Sequence, residues 1–226
     1  IYFGGGNKLL DEMYLPYDIK ALPCGVQPPE ASGWFREEIK SLDDLRGLKM
    51  RFFGLGAKVM ERLGVATQLL APGDIFQALQ LGTIDAAEFA NPSVDYKSAF
   101  FQVAKYYYFP GWHQPASILM VFINKKKWDS LIPMHKSIIE TTCGDMVQRM
   151  LAEAEATQWK AMKEMRDKHD VKLMKWPPEI MKALKTEWLA VVEEESKKNP
   201  NFMKVYNSLT EFRENYAIWK DFGFVD

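Results

Sequence analysis

"LRGLKMRFFGLGAKVMERLGVATQLLAPGDIFQALQLGTIDAAEFANP", Leu45 to Pro92, alternates short apolar runs with segments that glycine and proline punctuate. Ser41 and Asp44 form a capping box for a short turn that Gly47 closes, and 49–53 then reads as a strand. Gly54 and Gly56 open a helix over 57–63, which Gly64 ends. A second strand follows over 65–70, then a helix over 75–81 capped by Asp74 and ended by Gly82. A third strand, 84–90, stops at Asn91-Pro92. Such alternation predicts an α/β fold with parallel strands and short crossovers. Ligands of such folds gather at the loops beyond the carboxyl ends of the strands.

Outward from this block, "ASILMVFIN" (116–124) is the most hydrophobic run and reads as a central strand. From Met134 through Ile138, Cys143, Met146, Val147, Met150, Ala154 and Met162 to Met165, apolar residues recur at threes and fours. That spacing predicts one amphipathic helix of about 30 residues, roughly 45 Å long, enough to run along two lobes. Helices over 178–198 and 201–216, separated by Pro200, complete a helical C-terminal third.

The chain has 226 residues, 47% hydrophobic and 13% aromatic, so it can build a sizeable core. Its formal charge is −1 with scattered lysine and arginine, which speaks against a nucleic-acid surface or a polybasic membrane anchor. The longest apolar run, Ile118 to Ile123, is too short to span a bilayer, so no membrane insertion is expected. Cys24 and Cys143 leave their pairing open, because a disulfide needs geometry that sequence does not show. His113, His135 and His169 are too dispersed in the chain to suggest a zinc site. The chain begins at Ile1 rather than methionine and in structured-looking sequence, which reads as a fragment.

Four places carry candidate chemistry. Arg51 interrupts the apolar run of its strand; it is either a solvated strand end or a fork that grips a ligand carboxylate. Glu88, late in the strand before Asn91-Pro92, is an exposed carboxylate or an oxygen donor for a hard cation or a substrate hydroxyl. In "YYYFPGWHQPAS" (106–117), Pro110-Gly111 places Trp112, His113 and Gln114 in a connecting loop, where Trp112 either fills the core or walls a pocket. Glu30 lies in the proline- and glycine-rich "CGVQPPEASGWF" (24–35). Paired with Glu88 it offers an alternative, an α/β enzyme acting on a small carboxylate by acid–base chemistry. No nucleophile elbow, P-loop or dinucleotide fingerprint accompanies the pair.

"SLDDLRGLKMRFFGLGAKVMERLGV" (41–65) with "GDIFQALQLGTIDAAEF" (73–89) resembles the periplasmic solute-binding subunits of tripartite ATP-independent (TRAP) transporters along nearly the whole chain. "YYYFPGW" resembles the branch that binds α-keto acids and other carboxylates. The resemblance implies a non-enzymatic protein with two α/β lobes, mixed sheets, crossing strands and a long bracing helix. It also implies that most of the first lobe's opening strands, and a cleaved signal peptide, are missing here. Residues 1–20 and 113–165 would form the remainder of lobe I with the long helix, and 21–112 and 166–226 lobe II. The function implied is periplasmic capture of a small organic acid (keto, hydroxy or sugar acid) and its delivery to TRAP permease subunits, in a chain that admits a homodimer.

Residue by residue, Arg51 matches the arginine that grips the ligand carboxylate, and Glu88 a carboxylate that helps hold a bridging cation, Na+ or Ca2+. Phe89 stands where that branch usually has a tryptophan that contributes through its carbonyl and side chain. Gln114 stands at a glutamate position and Glu30 at a glutamine position, which keeps the number of carboxylates around the cation unchanged. The implied metal set is therefore Glu30, Glu88, Phe89 and Gln114. Trp112 and Phe89 supply apolar walls. The missing indole at Phe89 leaves the keto-acid assignment open.

Overall fold

The computed structural model describes residues 1–224. Its strands are β1 (Ile19–Gln27), β2 (Gly33–Phe35), β3 (Lys49–Arg51), β4 (Ala66–Gln68), β5 (Ala86–Ala87), β6 (Tyr106–Phe109), β7 (Ser117–Asn124) and β8 (Lys172–Lys175). The helices are α1 (Gly6–Tyr14), α2 (Gly54–Arg62), α3 (Pro72–Leu81), α4 (Pro92–Lys97), α5 (Lys125–Asp129), α6 (Pro133–His169), α7 (Pro178–Lys198) and α8 (Pro200–Gly223). The fold class is mixed α/β, as expected. The chain divides into two compact units. The first takes residues 1–24, 120–144 and the chain from Val192 on; the second takes 25–119 and 145–191.

The second unit is built on a six-stranded sheet in the order β4-β3-β5-β2-β6-β8. β3 runs parallel to both β4 and β5, and β6 parallel to β8, as the crossover pattern requires. β2, which precedes the alternating block, runs antiparallel to β5 and to β6, so the sheet is mixed, as the resemblance implies. Only three residues long, β2 is too short to show a strand period in a loop-like sequence.

Period-two alternation sorts the sheet's side chains onto two buried faces. Phe35, Met50, Ala86 and Tyr108 face a core completed by Ile180, Leu184 and Val191 of α7. Trp34, Ala87 and Tyr107 face the other, completed by Ile75 and Leu79 of α3 and by Ala161 and Met165 of α6. Burial on both sides explains why "YYYF" lacks a polar alternation.

Helix boundaries shift from expectation for local reasons. α3 starts at Pro72 rather than after Asp74, because proline suits the first helical position and Ala71 is already extended. Gly82 ends it in the left-handed region (φ 72°). α6 runs 37 residues, longer than its apolar stripe indicates.

In the first unit, Cys24 and Cys143 form a disulfide beside Leu22 and Trp128. Lys20 pairs with Asp11 (2.7 Å), and Lys204 of α8 pairs with Glu12 of α1. The reading of 116–124 as a central strand is corrected. Among the described residues β7 pairs with β1 alone in a two-stranded sheet, and Ile118, Leu119, Val121 and Phe122 are exposed. An apolar run records a demand for burial, not the number of strands beside it. Among the described residues no helix is long and apolar enough to cross a membrane.

Candidate functional site

The register of two parallel strands creates the centre of the site. Arg51, last in β3, lies opposite Ala87, last in β5, and the Glu88 N–H donates to the Arg51 carbonyl (3.0 Å). Both side chains thus emerge at the carboxyl ends of adjacent parallel strands. Arg51 Nη1 donates to Glu88 Oε2 (2.8 Å) and to the Glu88 carbonyl, and the two side chains are 7% and 2% exposed. Arg51 is therefore no solvated strand end. Its guanidinium is flanked by the rings of Phe53 (5.3 Å) and Phe89 (5.7 Å), while its Nε is buried without a hydrogen-bond partner. An open depression lined by Arg51, Phe53, Leu69, Leu70, Ala71 and Pro72 adjoins it.

The loop after the cis Phe109–Pro110 bond brings in the second half. The Glu30 N–H donates to the Gln114 carbonyl (3.1 Å), and Gln114 Nε2 donates to Glu30 Oε1 (2.7 Å) and to Ser117 Oγ. Gly111 permits this approach, since a Cβ there would run into the Glu30 carbonyl. The following residue but one, His113, points its Nε2 between the carboxylates, 3.6 Å from Glu30 Oε2 and 3.6 Å from Glu88 Oε1. Its side chain is 7% exposed, and neither ring nitrogen has a hydrogen-bond partner.

Glu30, Arg51, Glu88 and Gln114 thus meet, with Phe89 alongside and packed edge-on against Phe100. Trp112 is half-buried at the margin, 5.5 Å from the His113 ring and 6.1 Å from Phe52, with its Nε1 buried and unpartnered. The histidines, too dispersed in the chain to suggest a zinc site, include one that the fold brings to two carboxylates: Glu30, Glu88 and His113 can each offer a ligand atom within 4.8 Å of the others. Spacing between histidines misled, because the partners of His113 are carboxylates 83 and 25 residues away in the chain. Its place beside Gln114 in the loop was the available signal.

The electrostatics follow from burial. Desolvation raises the Glu30 pKa, the Glu88 charge adds to this, and His113 opposes it. For His113, desolvation lowers the pKa, yet the two carboxylates outweigh it and the net shift is upward. Behind the site lies an unforeseen group, Asp95 of α4, fully buried. Its Oδ2 accepts from Trp34 Nε1 (2.9 Å) and from the Tyr107 hydroxyl (2.8 Å), and its Oδ1 has no partner. Burial pushes its pKa up to about 7 despite these hydrogen bonds, and the charges of Glu88 and Glu30 push the same way.

A buried carboxylate pair with one arginine, beside an open depression that Arg51 lines, suits binding of a small anion with a cation. The chain belongs to the bacterial extracellular solute-binding protein family 7 (DctP), whose family model matches residues 6–199. It is 36% identical, over 97% of its own length, to a monocarboxylate 2-oxoacid-binding periplasmic protein of Nostoc sp., and spans 60% of that relative. Among solved structures it resembles a TRAP transporter solute-binding protein of Bordetella bronchiseptica, holding calcium and picolinate in one site of a mixed-occupancy dimer. That match has a TM-score of 0.90 and 39% identity, over 97% of this chain and 65% of the other. A TRAP periplasmic solute-binding protein of Pseudoalteromonas atlantica with sodium and pyruvate matches at a TM-score of 0.89 and 30% identity, over 98% and 67%.

Proposed function

We propose that this chain is the greater part of a periplasmic solute-binding protein that captures a small monocarboxylate of the 2-oxoacid kind and delivers it to a TRAP-type membrane permease. The observation that carries this reading is the buried Arg51 beside Glu88 at the ends of two parallel strands, with an unpartnered Nε and two flanking aromatic rings. A guanidinium so placed offers two parallel hydrogen bonds to a carboxylate. Phe89 and Trp112 provide apolar surface for the rest of the ligand.

A cation would sit among Glu30, Glu88, Gln114 and the Phe89 carbonyl, bridging protein and ligand. Converging carboxylates that lack enough buried donors fit this role. The 2-oxoacid-binding Nostoc protein and the calcium- and sodium-bearing relatives support it. The Cys24–Cys143 disulfide suits an oxidising compartment, which supports a periplasmic location.

The test is calorimetric titration of pyruvate into chelator-treated protein, with calcium, sodium or neither restored. Cation-dependent binding with pyruvate recovered unchanged is the expected result. A consumed ligand would instead support catalysis by Glu30 and Glu88, and no heat under any condition would leave the reading without its ligand.

A further inference from the structure

Glu30 and Gln114 come from two loops, one leading into β2 and one following β6, and a buried side chain joins them. Ser32, 1% exposed, donates its hydroxyl hydrogen to the Pro110 carbonyl, which also accepts from the Trp112 N–H (2.9 Å). Ser32 Oγ in turn accepts from Trp176 Nε1 (2.7 Å), a residue 144 positions further on, between β8 and α7. Backbone bonds fix both partners: the Ser32 N–H donates to the Tyr108 carbonyl (2.8 Å) and the Trp176 N–H to the Phe109 carbonyl (3.0 Å). The Trp176 ring is buried against Phe35 and Tyr108, contacts that a phenylalanine would also make. What the indole adds is its N–H, and burial obliges that group to find an acceptor.

On the reading of Glu30 and Gln114 as cation ligands, we infer that Ser32 and Trp176 are positioning residues, which hold the 110–114 loop where Glu30 and Gln114 act as one ligand set. A hydroxyl that both donates and accepts is fixed in rotation, so the bond it makes to Pro110 is oriented from behind by the indole. The loop meets Glu30 at two further points. Gly111 lies so close to the Glu30 carbonyl that no Cβ fits. Gln114 accepts from the Glu30 N–H (3.1 Å) and donates to Glu30 Oε1 (2.7 Å). Ser32 ties the start of the same loop, and without it the loop is held at one end only. Cation affinity depends on how rigidly the oxygen donors are held, and groups that orient ligands from behind govern it by about 10–100-fold. Arg51 lies on β3, outside the relay, so its grip on a carboxylate does not depend on it.

The experiment measures calcium, sodium and pyruvate affinities by calorimetry in chelator-treated wild type, Ser32→Ala, Trp176→Phe and the double variant. Tyr108→Phe is the control, because it removes buried hydrogen bonds to Ile39 from the same core without touching Pro110. For the cation that wild type binds, Ser32→Ala and Trp176→Phe should each lose about tenfold or more in affinity. The double variant should be no worse than Ser32→Ala, since the hydroxyl links the indole to the loop. Pyruvate affinity should fall at low cation concentration and recover at saturating cation, a split that a general loss of stability does not produce. Tyr108→Phe should lower the urea midpoint and leave both affinities at the wild-type value. Unchanged cation affinity in the relay variants, equal losses in Tyr108→Phe, or pyruvate binding that saturating cation does not restore would each overturn the inference. Should Ser32→Ala fail to fold, Trp176→Phe decides alone, because it keeps the aromatic packing and removes only the N–H bond. Wild type that binds pyruvate, with relay variants indistinguishable from it, sinks this inference and leaves the transport reading intact; wild type that binds no pyruvate sinks that reading itself.

Discussion

Arg51 and Glu88 stand or fall together. Arg51→Ala leaves the buried Glu88 carboxylate facing His113 and the Glu30 carboxylate, which should cost about 3–5 kcal/mol of unfolding free energy. Adding Glu88→Gln removes the stranded charge and should recover part of that loss. Urea unfolding of the single and double variants measures the coupling; additive losses would mean the pair is not energetically linked. Asp95 gives a pH signature. Its folded pKa of about 7 lies above the 3.8 usual for an aspartate, so the folded state holds this proton more tightly. Its stabilising contribution is complete below about pH 4, falls as pH rises through 7, and is flat above. Glu30 and His113 also titrate with raised pKa values nearby, so the comparison needs a variant. Between pH 5 and 8, wild type should lose on the order of 2–3 kcal/mol more than Asp95→Asn. Identical pH slopes would place no titration at Asp95.

Elements position the site through close backbone approaches. Gly111→Ala would drive a Cβ into the Glu30 carbonyl, so the loop or the Glu30 strand end must move. The expected outcome is a stability loss of about 1–3 kcal/mol and at least a tenfold weaker cation response in thermal shift. An unchanged cation response would show that Glu30 is not held by this contact. At this scale the sequence was partly legible. The helix ends at Gly64 and Gly82 and the strand at Lys49–Arg51 follow from local punctuation, because a left-handed terminus or a parallel crossover leaves a local mark. β2 and β5, three and two residues long, owe their state to hydrogen bonds with distant strands, and so left none.

At the scale of the whole molecule, the disulfide ties residues 119 apart in sequence within the first unit, while the proposed site lies in the second. Cys24→Ser with Cys143→Ser should cost about 2–5 kcal/mol of that unit's stability through the longer unfolded loop. Pyruvate affinity at low temperature should be unaffected. Equal urea midpoints with and without reductant would contradict the first expectation.

What the sequence determined by itself is the α/β alternation from Leu45 to Pro92, the long helix, and an arginine set against the apolar run of its strand. These are local patterns, written by backbone propensity and hydrophobic period. Tertiary structure alone decided that Arg51 faces Glu88, that Cys24 meets Cys143, and that His113 closes a cluster with Glu30 and Glu88. Those pairings depend on strand register and on a loop passing close to a distant backbone. Neither leaves a periodic trace in the chain, because the atoms that meet belong to segments far apart in sequence.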